Sequence, residues 1–203
     1  MSTRRILTKL LFAVAAVTVF GVSYYLGNRY ARPGAAELQA FVFPDPKPLE
    51  AFRLLDKKGD PFTPASFKGH WSFLVTGNLD DERCRPLLFH YVLAWNHLAG
   101  NPKLQQQTRV VFLDMARTPR TPEQLRRFID FYNPAFTAVT GPWETRARLA
   151  RRLGVSQQAL ETGVGCDPEN GVVGLVDPEG VLLALFTGVT DPAAIAHDLK
   201  FFQ

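Results

Sequence analysis

An α/β three-layer sandwich behind one N-terminal transmembrane helix is the fold class that this 203-residue sequence predicts. Three observations predict it. The chain begins with an apolar run of membrane-spanning length. After residue 48, short apolar runs alternate with amphipathic helical stretches, and the chain closes with a hairpin and a helix.

From Ile6 to Leu26 only Lys9 is charged, and a helix of that length crosses a bilayer. A cleaved signal peptide would have a shorter apolar core and a small-x-small cleavage site, which Tyr24-Tyr25-Leu26-Gly27-Asn28 does not resemble. Tyr24, Tyr25 and Tyr30 suit an interfacial aromatic belt, so the expectation is an uncleaved single-span anchor. Arg4, Arg5 and Lys9 outnumber Arg29 and Arg32, which makes residues 1–5 a cytoplasmic tail and places the globular domain beyond the span in a periplasm or its equivalent. Residues 27–48, with Pro33, Gly34, Pro44, Pro46 and Pro48, read as a linker, and residues 49–203 as one globular domain.

Within that domain, Leu49 to Asp56 reads as a strand, Lys57-Lys58-Gly59-Asp60 as a turn and Phe62-Thr63 as a short return strand. His70 to Gly77 is a glycine-bounded apolar run, the mark of a buried central strand. A helix over Arg83 to Leu98 groups Leu87, Leu88, Tyr91, Val92, Trp95 and Leu98 on one face. Arg109 to Asp114 is the next buried strand. Thr121-Pro122-Glu123 opens a helix that Asn133-Pro134 ends. Phe136 to Gly141, a helix over Pro142 to Leu153 and an irregular stretch to Asn170 follow. Val172 to Val176 and Val181 to Phe186 form a hairpin about Asp177-Pro178-Glu179-Gly180, and Asp191-Pro192 caps a last helix. This order is that of a thioredoxin-like sandwich.

The net charge of +4 invites a nucleic-acid reading, but the first 32 residues hold five Lys/Arg and no acid, leaving 18 basic against 19 acidic residues. A near-neutral domain lacks the electrostatic footprint of a nucleic-acid binder. Arg146, Arg148, Arg151 and Arg152 read as the solvated face of one helix.

The loop Gly77-Asn78-Leu79-Asp80-Asp81-Glu82-Arg83-Cys84-Arg85-Pro86 lies where thioredoxin-like proteins keep reactive cysteines. It resembles the Gly-Tyr-Thr-x-Cys-Pro-x-x-Cys-Pro loop of the Sco/SenC family of cytochrome oxidase assembly proteins. Phe67-Lys68-Gly69-His70-Trp71, Thr121-Pro122-Glu123-Gln124-Leu125, Asn133-Pro134-Ala135-Phe136 and Leu175-Val176-Asp177-Pro178-Glu179-Gly180 are similar to that family's motifs in the same order. The resemblance implies copper handling near respiratory oxidase biogenesis, with oxidase subunits or assembly factors as partners.

Carried across residue by residue, the resemblance puts Asp81 and Arg85 at the two family cysteines and Glu169 at the family histidine. The soft thiolate and imidazole donors that suit Cu(I) are thus replaced by carboxylates and a cation. No Cys-x-x-Cys is present, which excludes dithiol oxidoreductase chemistry at this loop. Asp80, Asp81 and Glu82 read as helix-capping acids that interact favourably with the macrodipole.

Cys84 and Cys166 are the two cysteines of the chain. If the resemblance holds, both come to the same face, and three readings stay open. They form a structural disulfide closing a loop of about 82 residues, worth about 4 kcal/mol. They are a two-coordinate copper site or a redox pair, with the Cys84 thiol activated by Arg83, Arg85 and a helix N-terminus. Or they are unrelated. His90 and His97 share one helix, and neither they nor His70 and His197 receive a role. The function expected is that of a periplasmic assembly factor acting by protein binding with no catalytic residues, the alternatives being a Cu(I) chaperone or thiol-redox protein and a stabilising subunit without chemistry.

Overall fold

In a computed structural model, residues 16–23, 38–162, 166, 171–188 and 191–203 are described, and the chain divides into two units, Met1–Leu38 and Gln39–Gln203. Residues 16–23 are helical (α1). No helix among the described residues is long and apolar enough to cross a membrane, and most of the expected span over residues 6–26 lies outside them.

The second unit runs β1 (Phe41–Pro48), β2 (Leu54–Asp56), β3 (Pro61–Phe62), a 3-10 turn (Pro64–Phe67), β4 (Trp71–Gly77), α2 (Cys84–Asn96), α3 (Pro102–Gln107), β5 (Thr108–Asp114), α4 (Pro122–Asp130), β6 (Thr137–Thr140), α5 (Trp143–Arg152), α6 (Gln157–Thr162), β7 (Val172–Val176), β8 (Val181–Thr187) and α7 (Pro192–Phe201). One sheet carries all eight strands in the order β1-β8-β7-β4-β5-β6-β2-β3. Strands β4, β5 and β6 are parallel; the remaining neighbours are antiparallel.

The alternation of side chains across the strands divides the core. Phe73 and Val75 of β4 and Val110 and Phe112 of β5 face a layer of α2, α3, α4 and α7. Leu74, Val111 and Leu113 face α5, α6 and the 3-10 turn. Because successive residues point to opposite faces and both faces are covered, the central strands read as unbroken apolar runs.

Three departures from the sequence reading have local causes. The last eight residues assigned to the linker are β1, with Phe41 opposite Leu185 and Pro48 opposite Val181. The prolines that signalled a spacer are tolerated because β1 is an edge strand with a register shift between Val42 and Lys47. Helix α3 is an addition, opened by Asn101, whose side chain accepts from the Leu104 amide at 3.2 Å, and by Pro102. Helix α6 occupies part of the stretch read as irregular.

Candidate functional site

The parallel strands β4 and β5 end side by side, with Gly77 opposite Asp114. Chain leaving that edge of the sheet forms the surface on which α/β folds collect functional groups. From Gly77 the chain turns through Asn78, whose side-chain oxygen accepts from the Asp80 amide at 3.1 Å. It then enters α2 at Cys84.

Cys84 is bonded to Cys166, with Cα atoms 4.8 Å apart, and both residues are fully buried. The bridge lies against the end of β4. A Cβ on Gly77 would stand 2.6 Å from Cys84 Sγ, closer still to Cys166 Sγ, and 3.0 Å from Phe112 Cζ. Cys166 Sγ is 3.4 Å from the Thr76 carbonyl oxygen. Gly77 is therefore required by close approach, because only a residue without a side chain lets two sulfurs rest on the strand. Gly77→Ala is expected to cost about 1 to 3 kcal/mol by overpacking. Urea unfolding of the oxidised variant checks this, and an unchanged midpoint would show that the bridge can move aside.

Asp81 does not stand alone. Its carboxylate accepts from the Arg83 amide at 3.0 Å, from Arg83 Nε at 2.9 Å and from Arg83 Nη2 at 3.0 Å. Asp80 pairs with Arg120. These contacts correct the capping assignment: the acids precede the helix, its first turn holds none, and the N-cap residue Arg83 makes no capping hydrogen bond with its side chain. Arg85 is exposed on the first turn of α2. Glu169 lies outside the described residues.

None of the four histidines joins the bridge in a ligand cluster: among the described residues no three His, Cys, Asp or Glu side chains gather to hold a metal ion. His70 is half-buried, and desolvation, then the charge of Arg109, lowers its pKa.

Beside the bridge lies a buried charge cluster that the sequence reading missed. Asp114 at the end of β5 and Arg146 of α5 are both buried. Arg146 Nε donates to the Gly141 carbonyl at 2.8 Å, and Nη1 to the carbonyls of Asp114 at 2.5 Å and Ala116 at 2.7 Å. The Asp114 carboxylate lies 4.0 Å from Arg146 Nη1 and 3.8 Å from Arg120 Nε. Arg120 in turn donates to Asn78 Oδ1 at 3.3 Å, linking the cluster to the loop before Cys84. Arg146 was assigned to a solvated face with Arg148, Arg151 and Arg152; those three are exposed and Arg146 is not. The missed signal is spacing: Arg146 lies three residues after Trp143 and four before Ala150, on the side of α5 that meets the sheet.

Burial raises the pKa of Asp114 from its ordinary 3.8, and the nearby backbone amide, Arg146 and Arg120 only partly oppose the shift. A carboxyl whose pKa is higher folded than unfolded binds its proton more tightly in the native state. The stability associated with the neutral form is complete below the unfolded value and is lost as pH rises through the folded one. Unfolding free energy measured from about pH 4 upward should therefore carry a falling contribution that Asp114→Asn removes. Equal slopes in the two proteins would rule it out.

A thioredoxin-like domain with a buried disulfide against the end of its central strand β4 is the class that the geometry defines. The SCO1/SenC family model matches residues 45–202, and the chain belongs to that family. A Stutzerimonas stutzeri protein to which copper binding is ascribed is 28% identical over 149 residues, 72% of each chain. Among solved structures, copper-bound ScoI of Arabidopsis thaliana superposes with a TM-score of 0.63 at 18% identity, covering 75% of this chain and 96% of that one. Yeast Sco1 with copper bound gives 0.62 at 17% identity over 78% and 94%. Apo Sco1 of Thermus thermophilus gives 0.61 at 21% identity over 84% and 99%. At these identities the superpositions establish a shared fold.

Proposed function

We propose that this chain is a membrane-anchored, periplasm-facing Sco/SenC protein that serves respiratory cytochrome c oxidase assembly by protein binding, its copper site having been replaced by a structural disulfide. Family membership supports the link to oxidase assembly, since BsSco, a structure of the same fold, is described as a member of the Sco family of cytochrome c oxidase assembly proteins. The apolar residues 6–26, the flanking charges and the Pro-rich stretch after them support a single-span anchor with the domain outside. A disulfide is also at home in an oxidising compartment.

The observation that carries the loss of copper handling is the burial of both sulfurs in one bond beneath Gly77. Bonded sulfurs offer Cu(I) no thiolate. The carboxylate of Asp81 is held by Arg83, and Arg85 presents a cation where the resemblance puts the second cysteine. Copper as cargo does not fit this donor set.

A second reading, a Cu(I) chaperone or thiol-redox protein using Cys84 and Cys166, is favoured by the relative to which copper binding is ascribed. Thiol counting on the purified chain, native and denatured, followed by anaerobic Cu(I) titration after reduction, separates the two. The disulfide reading expects no free thiol in either state and no tight copper. One tightly bound Cu(I) per reduced chain, lost in Cys84→Ser and in Cys166→Ser, establishes the copper reading instead.

A further inference from the structure

Helix α2 begins at the bridge and presents an apolar stripe to solvent. Phe89 and Leu93, four residues apart, are 46% and 48% exposed, and across from Phe89 stands Phe131, at the C-cap of α4, 75% exposed. The Phe89 ring lies 5.2 Å from that of Tyr132 and 6.3 Å from that of Phe131. Leu79, Phe128 and Tyr132 line the open groove between them, about 480 Å³ in volume, with Arg85 and Arg127 at its rim. A folded domain has no structural use for three large apolar side chains grouped in water, and such patches mark interaction surfaces.

We propose that this groove is the docking site for an acidic, aromatic or aliphatic segment of a partner protein. Charge decides the occupant. Arg85 has no carboxylate partner among the described residues. Arg127 has to share the carboxylate of Glu123 with Arg126, so its own charge is only partly met there. The rim therefore carries a surplus of positive charge over an apolar, aromatic floor. A segment with a large apolar residue flanked by Asp or Glu satisfies both parts, the apolar residue seating between Phe89 and Phe131 and the carboxylates meeting Arg85 and Arg127. A purely anionic ligand would leave the floor uncovered, and a neutral apolar surface would desolvate Arg85 without recompense.

The groove also adjoins the bridge. Phe112, which would touch a Cβ on Gly77, lies 5.4 Å from the Phe128 ring, and Phe128 lies 5.4 Å from Tyr132. One packed aromatic row thus runs from the buried disulfide to the docking surface, so a bound segment would sit beside the loop that carries the family's ligand positions. This inference rests on the protein-binding function proposed above and specifies its surface.

The test uses the full chain in detergent and two labelled hexapeptides, Asp-Glu-Trp-Leu-Glu-Asp and Lys-Lys-Trp-Leu-Lys-Lys, with binding read by fluorescence anisotropy. Saturable binding of the acidic probe alone is expected, weakened roughly tenfold by Phe131→Ser and by Arg85→Glu and unaffected by Arg148→Glu, a basic residue on α5. Because Phe131 and Arg85 are exposed, circular dichroism should show both variants folded. Equal binding of the two probes, no binding, or equal weakening by Arg148→Glu overturns the proposal. Sedimentation of the chain in the same detergent addresses a second copy: a dimer that Phe131→Ser dissociates would assign the groove to self-association. Binding to zwitterionic vesicles that Phe131→Ser abolishes would assign it to lipid. Either result overturns the acidic-segment proposal while leaving the thiol and copper measurements, and the function they test, unaffected.

Discussion

Cys84→Ser, Cys166→Ser and the double variant should each lose about 4 kcal/mol of unfolding free energy, and the three losses should be nearly equal. The bridge spans 82 residues of sequence. Cutting it frees the unfolded chain to explore conformations that the loop forbids, which is where most of the stabilisation arises in the chain-entropy account. Either single variant already removes the whole constraint, so the second substitution has little left to remove. For a domain of this size the loss corresponds to a fall in Tm of roughly 8 to 16 °C. A buried serine adds a smaller penalty for its hydroxyl, and Cys→Ala variants separate that term. The same geometry predicts slow reduction. Both sulfurs are 0% exposed, so a thiol reductant attacks only after Gly77 and the loop before α2 move away. Full accessibility to dithiothreitol in the native state, with losses below about 1 kcal/mol in the variants, would remove the case for a structural staple.

Much of this arrangement was legible in the sequence because it depends on local chemistry. Gly77 and the glycine-bounded run before it mark the central strand, Thr121-Pro122 opens α4 with a hydroxyl that accepts from the Gln124 amide at 3.3 Å, and Asp177 to Gly180 turns the last hairpin. The order of those signals limits the topologies that short, right-handed connections permit. Strand β1 was not legible, since Phe41–Pro48 makes an edge strand only by pairing with β8, more than a hundred residues later. The candidate site divides in the same way. Cys84 and Cys166 could be named as a pair once the resemblance supplied the fold. The resting of both sulfurs on Gly77 could not, because it depends on distances between three segments. Arg146 was read as a surface cation for a related reason: charge is visible in a sequence, and three carbonyls waiting for a guanidinium are not.

Arg146→Met should rival removal of the disulfide, at about 3 to 5 kcal/mol. The guanidinium is fully buried, and its Nε and Nη1 hold the carbonyls of Gly141, Asp114 and Ala116. Methionine fills similar space and donates nothing, so three carbonyls lose their donor and the Asp114 carboxyl loses one of its two neighbouring cations. The cost is chiefly that of the partners left behind, since a buried ion pair contributes little net stability against a well-packed apolar replacement. Two further variants test that account. Arg146→Lys keeps the charge but not the planar fork that reaches three oxygens, and should recover only part of the loss. Adding Asp114→Asn to Arg146→Met should cost less than the sum of the single variants, because the carboxyl stranded by the first change is neutral in the second. Strict additivity would mean that the two groups, 4.0 Å apart, do not act on each other. The effect should also reach the surface. Arg120 lies between Asp114 and the Asn78-Asp80 loop, and loosening the cluster should quicken amide exchange at Asn78 to Glu82, in the segment that leads into the bridged end of α2.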